Sequence, residues 1–312
     1  MQNNTRALVE GALLSAITII LSLLSLYIPI LGTFASLVWP VPIILLGIRH
    51  GLKISILATA VSGIIVAMLE GPLQALTVIL GFGLIGIALG WAISKDFSAE
   101  KCLAVGTVAS LIAKVVLIVI SLYVMGINPI NEEITALKES VEQVTKFYTS
   151  MGMNKELVEQ TTQNFKQAVN LLSMAIPGVF VLASVVDSFL NYSVAKLVIT
   201  RLGSRIKDFT PFWQWKLPSF TVFFFMIGIL LSFLEPYWPV GILKTIGMNL
   251  QLVFYFAFFI EGFSLLAFYF GKYNVSKPLR VLAVFLVFFN PFFAQIVAWA
   301  GMFDILMNFR KL

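Results

Sequence analysis

The sequence predicts an all-α fold, a polytopic transmembrane helical bundle of about eight or nine spans, with an amphipathic helical hairpin outside the bilayer. Three observations predict it. Of 312 residues, 59% are hydrophobic and only 12% charged, about half the charge share of a soluble domain. Apolar stretches near the length of a bilayer crossing recur along the whole chain. The Lys and Arg residues between them cluster in alternate loops, the arrangement that orients membrane proteins.

The first span covers about 7–27, preceded by a polar start with Arg6. It superficially resembles a signal peptide, but no small-residue cleavage site follows, so an uncleaved span is expected. Pro29 and Gly32 mark a turn, and the second span runs on to Ile48. Its Trp39-Pro40-Val41-Pro42 run is expected to kink it, because each proline removes a helical hydrogen bond. A short basic loop, Arg49 to Lys53, precedes the third span, 54–69, which Glu70-Gly71-Pro72 ends. The fourth span, 73–94, is glycine-rich, and the fifth, within 102–126, carries Lys114.

The only long polar region follows, at 127–172. Its apolar residues recur at helical spacing, and Asn131 and Asn154 stand where N-caps would, each followed by acids. Two amphipathic helices are expected, 131–151 and 154–175, with Gly152 between them and a kink at Pro177. The sixth span is 176–199. A basic loop with Trp213 and Trp215 leads to the seventh, 218–234, and the eighth, 246–270. The last apolar stretch, 281–307, is interrupted at Asn290-Pro291, and fits either a kinked span or a half-membrane hairpin. The basic loops place the N-terminus in the cytoplasm and the 127–172 hairpin outside.

Composition also narrows the function. The net charge of +6 does not make a nucleic-acid surface, because the basic residues sit in short loops between spans. One cysteine and one histidine exclude a disulfide framework and a Cys- or His-rich metal site. No Ser–His–Asp set, HExxH or P-loop is present, so neither an enzyme nor a cofactor is expected. Gly81-Phe82-Gly83-Leu84-Ile85-Gly86 matches a dinucleotide pattern but lies in an apolar helix without a preceding strand. With Gly90, these glycines read as a face for close helix packing.

Lys114 is the most informative residue. A lone ammonium near mid-membrane costs roughly 2.5–3.5 kcal/mol on insertion scales, so it needs a partner. Asp187 is the candidate: both residues lie about 18 Å from the cytoplasmic ends of their spans, at 1.5 Å per residue. The pair is expected to fix packing or to mark a ligand or ion site; the third alternative is that the two point apart, with Lys114 snorkelling and Asp187 protonated or facing an aqueous cavity. Glu261 and Asn290 form a second depth-matched candidate pair, read as a shared hydrogen bond or as a proton- or cation-linked site. Ala12 and Ala16 make an Ala-x-x-x-Ala face on the first span, for internal packing or for docking a partner.

The C-terminal third, with Glu261-Gly262 opening a run to Phe270 and a terminal Gly301-x-x-Asp304-x-x-x-x-Phe309-Arg310-Lys311, resembles the YybS-like family of bacterial membrane proteins. The first six spans resemble the substrate-binding S-components of energy-coupling-factor transporters. The grounds are six spans with both ends inside, the Ala-x-x-x-Ala of span one, the basic turn after span two and the glycine-rich fourth span. That resemblance implies that Ala12 and Ala16 dock a transmembrane coupling subunit bearing ATPases, and that the hairpin takes the position of a lid.

The expected organisation is therefore a six-span core, 1–205, including the hairpin 127–175, and a three-span extension, 206–312. The expected function is a binding or transport subunit for a small molecule in the bacterial cell membrane. The rival is a non-transporting membrane scaffold or regulator that binds another protein through the outer hairpin or the basic inner loops.

Overall fold

A computed structural model describes residues 2–28, 32, 35, 38–238 and 241–311 of the chain. Of the expected turn at Pro29 and Gly32, residues 29–31 lie outside the described residues. Everything regular among the described residues is helical. The helices are α1 (Gln2–Tyr27), α2 (Val41–His50), α3 (Leu52–Glu70), α4 (Pro72–Ser94) and α5 (Ala99–Tyr123). They continue with α6 (Pro129–Ser150), α7 (Lys155–Arg201), α8 (Phe220–Leu234), α9 (Ile242–Lys272), α10 (Lys277–Phe289) and α11 (Pro291–Met307). Six helices are long and apolar enough to cross a membrane, or seven when α10 and α11 count as one broken span. α2 and α8 are apolar but shorter, which is where the expected eight or nine spans and this number part.

The chain divides into two compact units, one of Met1–Glu133 with Phe180–Asp208, the other of Ile134–Val179 with Phe209–Leu312. By contacts the later division falls between Asp208 and Phe209, and residues 134–179 of the hairpin group with the second unit.

In the first unit, α1 packs on α3 through small hydroxyl side chains. Ser15 Oγ donates to the Ala58 carbonyl at 3.3 Å, and Ser62 Oγ to the Ser15 carbonyl at 3.4 Å. Hydroxyls suit a membrane interior because they bridge helices without carrying a charge. Trp39 stacks on Phe82 with ring centroids 4.2 Å apart. Gly86 and Gly90 lie against Ile43, Ile44 and Gly47 of α2, so the glycine face works as a packing face. A π-helical turn, Thr77–Gly83, interrupts α4 beside it.

In the second unit, α7 runs unbroken through Pro177. Proline removes one backbone donor and crowds the preceding turn. Here a neighbouring side chain repairs the ladder: Asn249 Oδ1 accepts from the Gly178 N–H at 2.5 Å, and Asn249 Nδ2 donates to the Met174 carbonyl at 2.8 Å. That clamp ties the hairpin's second helix to α9 within this unit. The last apolar stretch is two helices bent by 103° at Asn290. Phe225, Phe258, Met302 and Ile305 make the core between α8, α9 and α11.

Candidate functional site

α5 and the C-terminal part of α7 meet through small residues in the first unit. Gly106 permits the contact, since a Cβ there would run into Ser188, whose hydroxyl donates to the Leu103 carbonyl at 2.9 Å. One to two turns further along, the expected pair is made. Lys114 Nζ lies 2.5 Å from Asp187 Oδ2 and 2.7 Å from Ser110 Oγ, which in turn donates to Asp187 Oδ2 at 2.9 Å. Lys114 is about 22 Å from the start of α5, and Asp187 about 21 Å from the end of α7, so the depths agree.

The pair is not sealed. The Lys114 side chain keeps 25% of its surface exposed and the Asp187 side chain 45%. One turn from Asp187, Asn191 donates to the Asp187 carbonyl at 2.8 Å, and its own Oδ1 has no partner among the described residues. A cation, a carboxylate, a hydroxyl and a free amide oxygen thus lie within two turns of two helices. Of these, the partly exposed Lys114 can donate to a polar molecule and the partly exposed Asp187 can accept from one.

Glu261 and Asn290 are not brought together. Asn290 caps α11, accepting from the Phe292 N–H at 3.0 Å, because the bend at this residue makes it a helix start. Glu261 pairs instead with Arg310 and accepts from the Leu217 N–H at 2.9 Å. Arg310 also donates through Nε to Asp304 Oδ2 at 2.8 Å, and through Nη1 to Ser264 Oγ at 2.7 Å and the Trp213 carbonyl at 3.0 Å. All three charged side chains are 0–1% exposed. Gly262 and Gly301 let α9 and α11 approach closely enough to enclose them, since a Cβ on either would strike the backbone of the other helix. The Glu-Gly and Gly-x-x-Asp…Arg pattern is therefore a buried staple that holds the 212–217 loop and the C-terminal tail onto the second unit.

Ala12 and Ala16 both lie on the exposed side of α1, while Gly11, Ser15, Thr18 and Ser22 face inward. Two further polar groups escaped the reading of the sequence. Glu10 pairs with Arg49, and His50 Nε2 lies 2.8 Å from Glu10 Oε2. At the other end of α1 and α3, Ser22 Oγ donates to Glu70 Oε2 at 3.2 Å. The signal for the second was the spacing of Ser15, Thr18 and Ser22 on one helical face. The first carried none, because Glu10 and Arg49 are 39 residues apart. Among the described residues, no three His, Cys, Asp or Glu side chains are grouped to hold a metal ion.

A protein family described as "Predicted membrane protein (DUF2232)" matches residues 16–305. The chain is 32% identical over 307 residues to "Uncharacterized protein YybS" of Bacillus subtilis (strain 168), covering 98% of both chains. No solved structure matches it significantly. The chain belongs to this family of membrane proteins, in agreement with the resemblance that its C-terminal third carries.

Proposed function

We propose that this member of the DUF2232 family is a membrane-embedded binding subunit resembling the S-components of energy-coupling-factor transporters, and that it holds a polar small molecule beside Lys114 and Asp187. One observation carries the reading: an ion pair deep in the apolar zone that is left partly open. A pair serving packing alone is best enclosed, because charge facing hydrocarbon is costly. A pair serving a ligand needs an open side, which the exposed part of Asp187 supplies; Asn191 Oδ1, one turn along, is buried and has no partner among the described residues. The distribution of Lys and Arg supports an N-terminus in the cytoplasm and the hairpin outside, in a bacterial cell membrane. The exposed Ala12 and Ala16 face supports docking of a coupling subunit with its ATPases, or of another membrane protein. The function so read is binding, with no catalytic step, cofactor or nucleic acid.

The test is purification in mild detergent, with co-purifying small molecules and subunits identified by native mass spectrometry. Lys114→Met and Asp187→Leu, singly and together, are compared with the unchanged protein. Loss of the small molecule in all three variants, each still folded, supports the site. A double variant that restores what each single one loses makes the pair structural.

The second reading, a scaffold that binds another protein, has its own support. The gap beside Trp39, Phe82, Thr18 and Thr59 has no room for a water, so this part of the first unit is dry. The two hairpin helices enclose an apolar groove of about 490 Å³ lined by Val144, Tyr148, Leu157 and Phe165. A stable protein partner without any bound small molecule is the outcome this second reading expects.

A further inference from the structure

Three helix ends meet at one end of the first unit: the start of α1, the end of α2 and the start of α3. Gly51, at φ +82°, is the only residue between α2 and α3, so Arg49, His50 and Lys53 turn sharply beside the first turns of α1. With Arg6 and Glu10 they line an open pocket of about 960 Å³. Arg6 and Glu10 are four residues apart on α1 and share one face.

The one carboxylate in this pocket is already engaged. Arg49 pairs with Glu10 Oε1, and His50 Nε2 lies 2.8 Å from Glu10 Oε2, so Glu10 orients both basic side chains. Arg6 and Lys53 face the same pocket, and neither has an ion-pair or hydrogen-bond partner among the described residues. Arg6, Arg49 and Lys53 against Glu10 leave two formal positive charges, with His50 neutral. Ile54 and Leu57 give the pocket an apolar wall.

We propose that this pocket binds a phosphate-bearing anion, with the phosphate between Arg6 and Lys53, within reach of the Arg49 guanidinium, and the rest of the molecule against Ile54 and Leu57. Two unpartnered cations facing one space match an anion, and a guanidinium offers the forked donors that phosphate oxygens accept. The volume suits a small-molecule site, typically about 300–1,000 Å³. A basic pocket between helix ends, floored by apolar side chains, also has the chemistry of an anionic lipid headgroup site. A lipid phosphate and a soluble phosphate ester share that chemistry. On the topology proposed above, the pocket opens to the cytoplasmic leaflet; the binding chemistry itself does not depend on that topology, nor on the Lys114–Asp187 site.

The experiment uses the full chain in detergent, exposed to phosphatidylglycerol or phosphatidylcholine, with retained lipid counted by native mass spectrometry. The unchanged protein is expected to retain phosphatidylglycerol in strong preference. Arg6→Gln with Lys53→Gln is expected to weaken retention roughly 25-fold, at about fivefold per basic residue. Glycerol 3-phosphate separates the sources: displacement of the lipid marks a soluble phosphate ester as the ligand class, and no displacement marks the lipid, both bearing out the site. Equal retention of the two lipids, or of neither, by the unchanged protein overturns the proposal, whether or not the double variant folds. So does unaltered retention in a double variant whose size-exclusion profile is normal.

Discussion

Arg310 reaches back six residues to place Nε 2.8 Å from Asp304 Oδ2, because Asn308, in the left-handed region at φ 50°, reverses the chain at the end of α11. The same guanidinium pairs with Glu261 on α9, so one side chain at the end of the chain closes the second unit. Removing one partner from a fully buried set leaves charges without compensation, which costs about 3–5 kcal/mol. Arg310→Gln is therefore expected to lower the melting temperature sharply in detergent, and Arg310→Lys, which loses the fork, to lower it less. A melting temperature unchanged in Arg310→Gln contradicts the staple.

The amide of Asn249 stands in for a helix hydrogen bond beside Pro177. Asn249→Leu leaves the Gly178 N–H and the Met174 carbonyl without this partner, at a cost of about 1–3 kcal/mol. Pro177→Ala restores a backbone donor and relieves the crowding of that turn, so the loss is expected to shrink in the Pro177→Ala background. A double-mutant cycle on thermal stability measures the coupling; additive effects contradict the clamp.

Gly262→Ala and Gly301→Ala introduce methyl groups where the α9–α11 crossing has none to spare. Overpacking of this kind costs about 1–3 kcal/mol, and more where the obstacle is backbone. Gly271, inside α9 and with nothing within 4 Å of an added Cβ, is the matched control, with Gly271→Ala expected to be neutral to slightly stabilising. Equal stability of all three variants argues against close approach at the crossing.

Ala12→Leu with Ala16→Leu tests the exposed face of α1. Both positions are exposed, so stability of the isolated chain is expected to change by less than about 0.5 kcal/mol. Any co-purifying membrane subunit is expected to be lost. Retention of that subunit assigns its docking elsewhere.

These contrasts follow what was legible in the residues. The apolar stretches became helices because length and composition alone decide that in a bilayer. Lys114 and Asp187 could be paired in advance because each is the lone charge in the apolar part of its span, so depth alone matched them. The same reasoning misassigned Glu261. Depth matching treats 281–307 as one straight helix, whereas Asn290 starts α11 after a 103° bend. Arg310 lies past the apolar stretch, and nothing local announces that the chain turns back to bring it to Glu261. The Pro177 repair was equally hidden, because Asn249 lies 71 residues from Gly178 and only packing joins them. The hairpin helices were readable from periodicity, but their grouping with the second unit is a matter of tertiary contact that no local pattern announces.

The most direct test of the central claim is the amount of small molecule bound per chain in native mass spectra, comparing the unchanged protein with the Lys114→Met, Asp187→Leu double variant. A bound polar molecule is expected on the unchanged protein, and is lost from a double variant that keeps its helical content and melts cooperatively. A double variant that binds as the unchanged protein does, or an unchanged protein that carries no molecule, contradicts that claim.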